Sequence, residues 1–323
     1  MGGPALPKVL LPNNMTVRED SPGIAKIAYS QVVDYFEHPD GGFPASRFRD
    51  GMVVFDAGMN LGLFSLECLR RAKEKGMACT VFGFEPIPAT YACAKANLTD
   101  NGFIGDGATK QRSVPINAGC GETAGRVTFT HLPGWSMRSS CVDGGMVDLN
   151  DHHWTNIDFM LKAANGTNTV ELPDGYMDII PWYVRRLPER LARAVHWAWS
   201  GGGNARVTET QLVDAELVTL SSIISEHKVA KIDLLKVDVE KAEMLVLKGL
   251  SDADWKMVQA VVAEVHDDDG KLDAIKAMCA KAGLDKVDVV QEAAFKGTNV
   301  FTLIACRSDP SEKKGLALEL LHA

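Results

Sequence analysis

An α/β fold built on a doubly wound, mostly parallel sheet is predicted by three features of this 323-residue sequence. Short apolar runs alternate with stretches at helical spacing, the pattern of parallel strands joined by crossover helices. The first strong run, Met52-Val53-Val54-Phe55-Asp56, breaks at Gly58 and Gly62 before apolar residues resume at helical spacing, which reads as buried strand, tight turn and helix. A second acid, Glu85, closes the next apolar run, residues 79–84. Two acids thus stand at successive strand ends, where sheets of this class bind ligands.

The elements follow in order. Ser21-Pro22 reads as an N-cap with proline at the first helical position, and Ile24, Ile27, Ala28, Tyr35 and Phe36 continue a helix expected to pack over the domain or the cofactor mouth. Residues 39–50, rich in Gly and Pro, form a loop into the sheet. A helix over 62–75, a strand over 79–84, a helix over 88–101 and a strand over 113–118 come next, and residues 125–130 alternate like a hairpin arm. Later come strands over 234–238 and 258–266 with a helix over 241–250 between them, a helix over 271–282, and strands over 287–291 and 299–306. Residues 144–206 depart from the alternation and hold Trp154, Phe159, Tyr176, Trp182, Tyr183, Trp197 and Trp199. Such an aromatic insertion either packs as an auxiliary patch or closes an apolar pocket as a substrate lid.

The turn selects among ligands. A dinucleotide turn needs G-x-G-x-x-G so that amides can approach a pyrophosphate; here the spacing is Asp56-x-Gly58-x-x-x-Gly62, with an acid that would repel one. An acid suits an ammonium or sulfonium group, and S-adenosylmethionine carries both; Glu85 is placed to accept the hydroxyls of its ribose. This argues against a nicotinamide-dependent oxidoreductase and for methyl transfer. An alcohol acceptor needs a base, and His266, at the end of the 258–266 run, meets Asp238 if the two late strands are neighbours. His266 is expected to take the proton and Asp238 to position substrate or orient the imidazole. Glu264, expected to be buried, is assigned to Lys236 as a structural pair, and Glu240 and Glu243 to helix capping. Asp238, Glu240, His266 and Asp267-Asp268-Asp269 offer hard ligands to magnesium, but nothing fixes their geometry and no metal is assigned. His131, His152 and His153 have no partner spacing and are expected to face solvent or the insertion.

Bulk properties narrow the partners. The 46% hydrophobic and 24% charged content is that of a globular protein, and no apolar run approaches the roughly 20 residues of a membrane span. The first residues lack a secretory pattern. A net charge of -8, with its densest basic cluster limited to Arg185, Arg186, Arg190 and Arg193, argues against a nucleic-acid substrate. A small or carrier-tethered molecule is expected instead. Seven cysteines without a C-x-x-C pair suit reduced thiols in a cytoplasmic protein. Nothing in the sequence fixes the oligomeric state.

Four ordered motifs resemble those of the FkbM-type S-adenosylmethionine-dependent methyltransferases: Val54-Phe55-Asp56-Ala57-Gly58-Met59-Asn60-Leu61-Gly62, Gly83-Phe84-Glu85-Pro86-Ile87-Pro88, Asn117-Ala118-Gly119-Cys120-Gly121, and Ile232 through Glu243. The resemblance covers about 52–126 and 218–306. It implies a class I, Rossmann-like methyltransferase fold and O-methylation of a natural-product, polyketide or glycan hydroxyl. It divides the chain into an N-terminal helical extension (1–50), a methyltransferase domain (51–307, with the insertion at 144–206) and a C-terminal tail (308–323). By the same resemblance Asp56, Gly58, Asn60 and Gly62 line the methionine end of the cofactor, Glu85 holds the ribose, Pro86 is a further cofactor contact, Asn117 and Ala118 flank the adenine, and Asp238 faces the methyl. Two residues depart from the family pattern: Met59 where a small residue is usual, and Lys241 where glycine is. A non-catalytic interaction protein on the same fold is the alternative they leave open.

Overall fold

A computed structural model describes residues 6–19, 24–37, 43, 45–105, 110–131, 211–291, 295 and 298–308. Its centre is a seven-stranded sheet. The strands are β3 (Met52–Ala57), β4 (Cys79–Phe84), β5 (Gln111–Ile116), β9 (Leu234–Val237), β10 (Ala260–His266), β11 (Lys286–Val290) and β12 (Val300–Cys306). They lie in the order β11-β12-β10-β9-β3-β4-β5. Every neighbouring pair is parallel except the two made by β12. The chain winds outward from β3 to β5 on one side and from β9 to β10 on the other. The switch point, where a crevice opens at the strands' carboxyl ends, therefore lies between β3 and β9.

Strands buried on both faces explain the continuous apolar runs. On one face Val54, Val81 and Val262 pack with α1 (Ile24–Glu37), α2 (Leu63–Glu74) and α3 (Pro88–Asp100). On the other, Phe55, Phe82, Phe84, Val261 and Leu303 pack with α4 (Leu220–His227), α5 (Glu243–Lys248), α6 (Asp252–Trp255) and α7 (Lys271–Lys281). The N-terminal helix does pack over the domain: Phe36 stacks on Phe64 of α2 with ring centroids 5.3 Å apart. Glu67, wholly buried on α2, receives Asn13 at 3.1 Å and Tyr29 at 3.4 Å and so ties the extension to the sheet layer.

Several elements were not anticipated. A small hairpin, β1 (Lys8–Leu10) with β2 (Thr16–Arg18), precedes α1. The expected hairpin arm is β7 (Gly125–His131), whose partner is β8 (Gln211–Val218), and β6 (Gly119–Cys120) completes a three-stranded sheet. His131 and Gln211 face each other at the end of that ladder. His131 is buried, which removes the solvent-facing alternative, while the insertion it was otherwise expected to face lies outside the described residues. Helix α4 also lacked a sequence assignment, though Thr219 caps it by accepting the amide of Ser222. The 144–206 insertion, with His152, His153 and the basic cluster, lies outside the described residues, as does the tail beyond Ser308. Among the described residues no helix is long and apolar enough to cross a membrane.

Candidate active site

The motif residues gather at the carboxyl edge around the switch point. After β3 the chain turns through Gly58 (φ 80°), Asn60 (φ 49°) and Gly62 (φ 81°) before α2 begins. Glycine at 58 is obligatory, since a Cβ there would stand 1.7 Å from the Asp238 carbonyl oxygen. The amides of Gly58 and Met59 both donate to the Phe84 carbonyl, at 3.2 and 2.8 Å, so the turn is locked to the end of β4. Met59 does not obstruct it. Its side chain lies over Gly83, where a Cβ would meet the Met59 sulfur at 2.3 Å, so the bulky residue in the turn is matched by a missing side chain on the neighbouring strand.

Glu85 sits just past β4, almost fully buried. One carboxylate oxygen accepts the Asn60 amide at 3.0 Å and the other the Ile87 amide at 2.9 Å. Each oxygen keeps a second acceptor direction. Burial raises this carboxyl to about 7, against the pull of the two amides. Asn117 donates through Nδ2 to the Glu85 carbonyl at 2.8 Å and the Pro86 carbonyl at 3.2 Å, which pins the loop that carries Glu85. Ala118 is buried beside it.

Asp56 has a different place from the one expected. Its carboxylate is wholly buried on the α2 side, accepts Ser65 Oγ at 2.6 Å and lies 3.4 Å from Lys236 Nζ. The cause is register: Asp56 and Lys236 are cross-strand partners on β3 and β9, so their side chains share one face. Lys236 also donates to the Gly58 carbonyl at 2.7 Å and lies 3.2 Å from Asp238. Its ion pairs are with these two aspartates rather than with Glu264. Burial works against the Lys236 ammonium, but Asp238 and Asp56 outweigh it and hold it above its ordinary value. Asp56 therefore lies beneath the turn, acting on it through Lys236, which holds the Gly58 carbonyl.

Asp238, partly exposed at the tip of β9, is held by Lys236 and by the Tyr35 hydroxyl of α1 at 3.3 Å. Next to it Glu240 (φ 49°) and Lys241 (φ 77°) are both left-handed, which is why glycine is the usual residue at the second position. The strained loop is clamped: the Lys241 amide donates to Glu243 at 2.8 Å and its carbonyl accepts Lys271 Nζ at 3.0 Å. His266 lies on the neighbouring strand, as the expected β9–β10 pairing required. Its Nδ1, however, is 2.9 Å from Glu243, and its Nε2 faces Glu240 at 3.4 Å. Orientation of the imidazole thus falls to Glu243, which sequence reading assigned to helix capping, and not to Asp238. Burial depresses His266, but the Glu243 hydrogen bond and the charges of Glu240, Glu243 and Asp238 outweigh it, and the ring titrates above its ordinary value. Among the described residues no three His, Cys, Asp or Glu side chains are grouped to hold a metal ion.

The chemistry of this donor set fits an adenosyl sulfonium ligand. A buried carboxylate with unused acceptor directions suits vicinal hydroxyls, and the excess of carboxylates at the edge suits a cation.

Comparison with known proteins points to methyl transfer. Residues 189–284 match the Methyltransferase FkbM domain. The chain is 30% identical over 305 residues to the 31-O-demethyl-FK506 methyltransferase FkbM of Streptomyces tacrolimicus, across 92% of this chain and 96% of that protein. It is 25% identical over 291 residues to the methyltransferase sdnD of Sordaria araneosa, across 88% and 90% of the two. The AMB antimetabolite synthetase AmbE of Pseudomonas aeruginosa is 29% identical over 279 residues, 82% of this chain but 11% of that larger protein. Among solved structures, methyltransferase FkbM from Methylobacillus flagellatus KT aligns with a TM-score of 0.43 and 13% identity, over 87% of this chain and 51% of that one. With 30% identity to a methyltransferase over nearly the full length of both chains, and its four motifs converging on one edge of a Rossmann-like sheet, the chain belongs to the FkbM family of methyltransferases.

Proposed function

We propose that this methyltransferase takes its methyl group from S-adenosylmethionine and delivers it to a hydroxyl of a small or carrier-tethered molecule. The observation that carries the reading is Glu85: a nearly buried carboxylate beside the glycine turn, raised to about 7 by burial, with each oxygen satisfied once and able to accept again. In this reading Glu85 accepts the ribose hydroxyls and Pro86, Asn117 and Ala118 border the adenine. The backbone of Gly58, Asn60 and Gly62 borders the methionine end, with Asp56 supporting it from below. The bound donor supplies an electrophilic methyl on a sulfonium sulfur. With the donor bound, His266 Nε2 would receive the acceptor's hydroxyl proton as that oxygen takes the methyl and the donor leaves as the neutral thioether. Asp238, fixed by Lys236 and Tyr35, lines the approach.

Three further points support parts of this reading. The name of the Streptomyces tacrolimicus relative describes an O-methyl transfer. Carboxylates at Asp238, Glu240, Glu243 and Glu264 outnumber Lys236 and Lys271 around His266, which disfavours phosphorylated or nucleic-acid acceptors. The six cysteines among the described residues are all buried and reduced, in keeping with a cytoplasmic setting. Calorimetry with S-adenosylmethionine tests the donor: wild-type protein is expected to bind and Glu85→Ala to lose binding, and a wild type indifferent to the donor overturns the proposal. Mass spectrometry of a panel of hydroxylated small molecules tests the acceptor, with methyl gain at nitrogen or carbon alone refuting the O-methyl assignment.

A further inference from the structure

The two glutamates that open α5 are not equivalent. Glu240 remains partly exposed, whereas Glu243 has no exposed surface and lies among three donors. Its Oε1 takes the Lys241 amide at 2.8 Å and stands 2.9 Å from His266 Nδ1, and its Oε2 takes Lys271 Nζ at 3.1 Å. A buried carboxylate so surrounded is ionised: burial raises it, but the His266 and Lys271 interactions outweigh burial and hold it below its ordinary value. An ionised carboxylate only accepts hydrogen bonds, so the imidazole nitrogen facing it carries the hydrogen. The other nitrogen, Nε2, is then the basic one, and it faces Glu240 at 3.4 Å and Glu264 at 4.0 Å, with Asp238 among the charges acting on the ring.

We propose that Glu243 is the positioning residue for His266, fixing the Nδ1–H tautomer so that Nε2 is presented to the acceptor hydroxyl, with Lys271 clamping the carboxylate. This rests on the reading of His266 as proton acceptor given above. The arrangement resembles the carboxylate–imidazole pairs by which other enzymes fix a base, but here the acid comes from the loop after one strand and the histidine from the end of the next. Lys271, the first residue of α7, bonds both Glu243 and the Lys241 carbonyl, so one ammonium holds the carboxylate and the left-handed loop together. Among the described residues, the charged groups facing the ring are Glu264 on its own strand, Asp238 at the end of β9, and Glu240 and Glu243 at the entry to α5. The cross-strand neighbour on β12 is the uncharged Val300.

Nitrogen-15 NMR of histidine-labelled full-length protein tests this without needing the acceptor, with His266 assigned by the signal missing in His266→Gln. In wild type the neutral ring is expected as the Nδ1–H tautomer. Glu243→Gln should lower its titration midpoint by about one unit or more, and Lys271→Met should raise it, because the ring then becomes the main cation facing Glu243. Shifts of opposite sign are not produced by loosened packing, and the lysine variant keeps the test alive if the glutamine variant does not fold. A wild-type Nε2–H tautomer, or midpoints unmoved in the folded variants, overturns the inference. S-adenosylmethionine calorimetry on the same samples separates the two ideas. Absent donor binding sinks the functional reading whatever the imidazole does, while intact binding with an unmoved imidazole sinks only the role of Glu243.

Discussion

Donor binding should release a proton below neutral pH, and Glu85 sets the size of the effect. In the free protein its carboxyl titrates at about 7 because burial outweighs the amides of Ile87 and Asn60. Hydroxyls donating to it need the ionised form, so apparent affinity follows the ionised fraction. That fraction falls from about nine-tenths at pH 8 to about one-tenth at pH 6, a loss of roughly tenfold. The probe of choice is 5′-methylthioadenosine, which keeps both ribose hydroxyls and lacks the ammonium and carboxylate of the full donor. Calorimetry at pH 6 in buffers of different ionisation enthalpy should count close to one proton released, and almost none at pH 8. Glu85→Gln should bind weakly at both values and lose the difference. Equal wild-type affinities at pH 6 and 8, with no proton released, would refute the placement of the hydroxyls on Glu85. The same group affects the unliganded fold. A carboxyl raised from 4.5 to about 7 binds its proton more tightly folded than unfolded. It contributes most stability below pH 4.5 and loses up to about 3 kcal/mol as pH rises through 7.

Other perturbations grade the site. Gly58→Ala should fail to fold or lose donor binding outright, because its Cβ would collide with the Asp238 carbonyl. Gly62→Ala, whose nearest neighbour is Ala94 at an ordinary 3.5 Å, should cost only about 1–2 kcal/mol of left-handed strain in urea unfolding. Lys241→Gly should stabilise by about 0.5–1 kcal/mol, the strain relieved less the added chain entropy, and a lower urea midpoint would count against a strained loop. Lys236→Met leaves Asp56 buried without its cation and should cost about 3–5 kcal/mol; if the Asp56→Asn, Lys236→Met double variant is no more stable than Lys236→Met alone, the pair is not the cause.

The sheet was legible because strands buried on both faces must be apolar throughout, and those runs show directly in sequence. The turn at Gly58 and Gly62 and the acid at Glu85 were legible for the same local reason: chemistry and spacing fall within one stretch of chain. What stayed hidden depends on cross-strand register. Asp56 faces Lys236 across β3 and β9, and Met59 fits over Gly83 of β4, but no spacing along the chain announces either contact. Glu243 reaches His266 from 23 residues earlier, so it read as a cap. Strand β8 was missed because its partner β7 is remote in sequence, and β1 and β2 because strands of three residues carry almost no periodicity. Helix α4 could have been found: Thr219 precedes Leu220, Ile223 and Ile224 in the pattern of a capped amphipathic turn.

The ladder of β7 and β8 ends with His131 opposite Gln211, so whatever chain joins them departs and returns one strand-width apart, about 5 Å. Such a junction makes the intervening segment a cassette. Exchanged for a relative's, or shortened to a tight Asn-Gly reversal, it would leave the pairing on either side in place, because the ladder from Gly125 to His131 is complete without it.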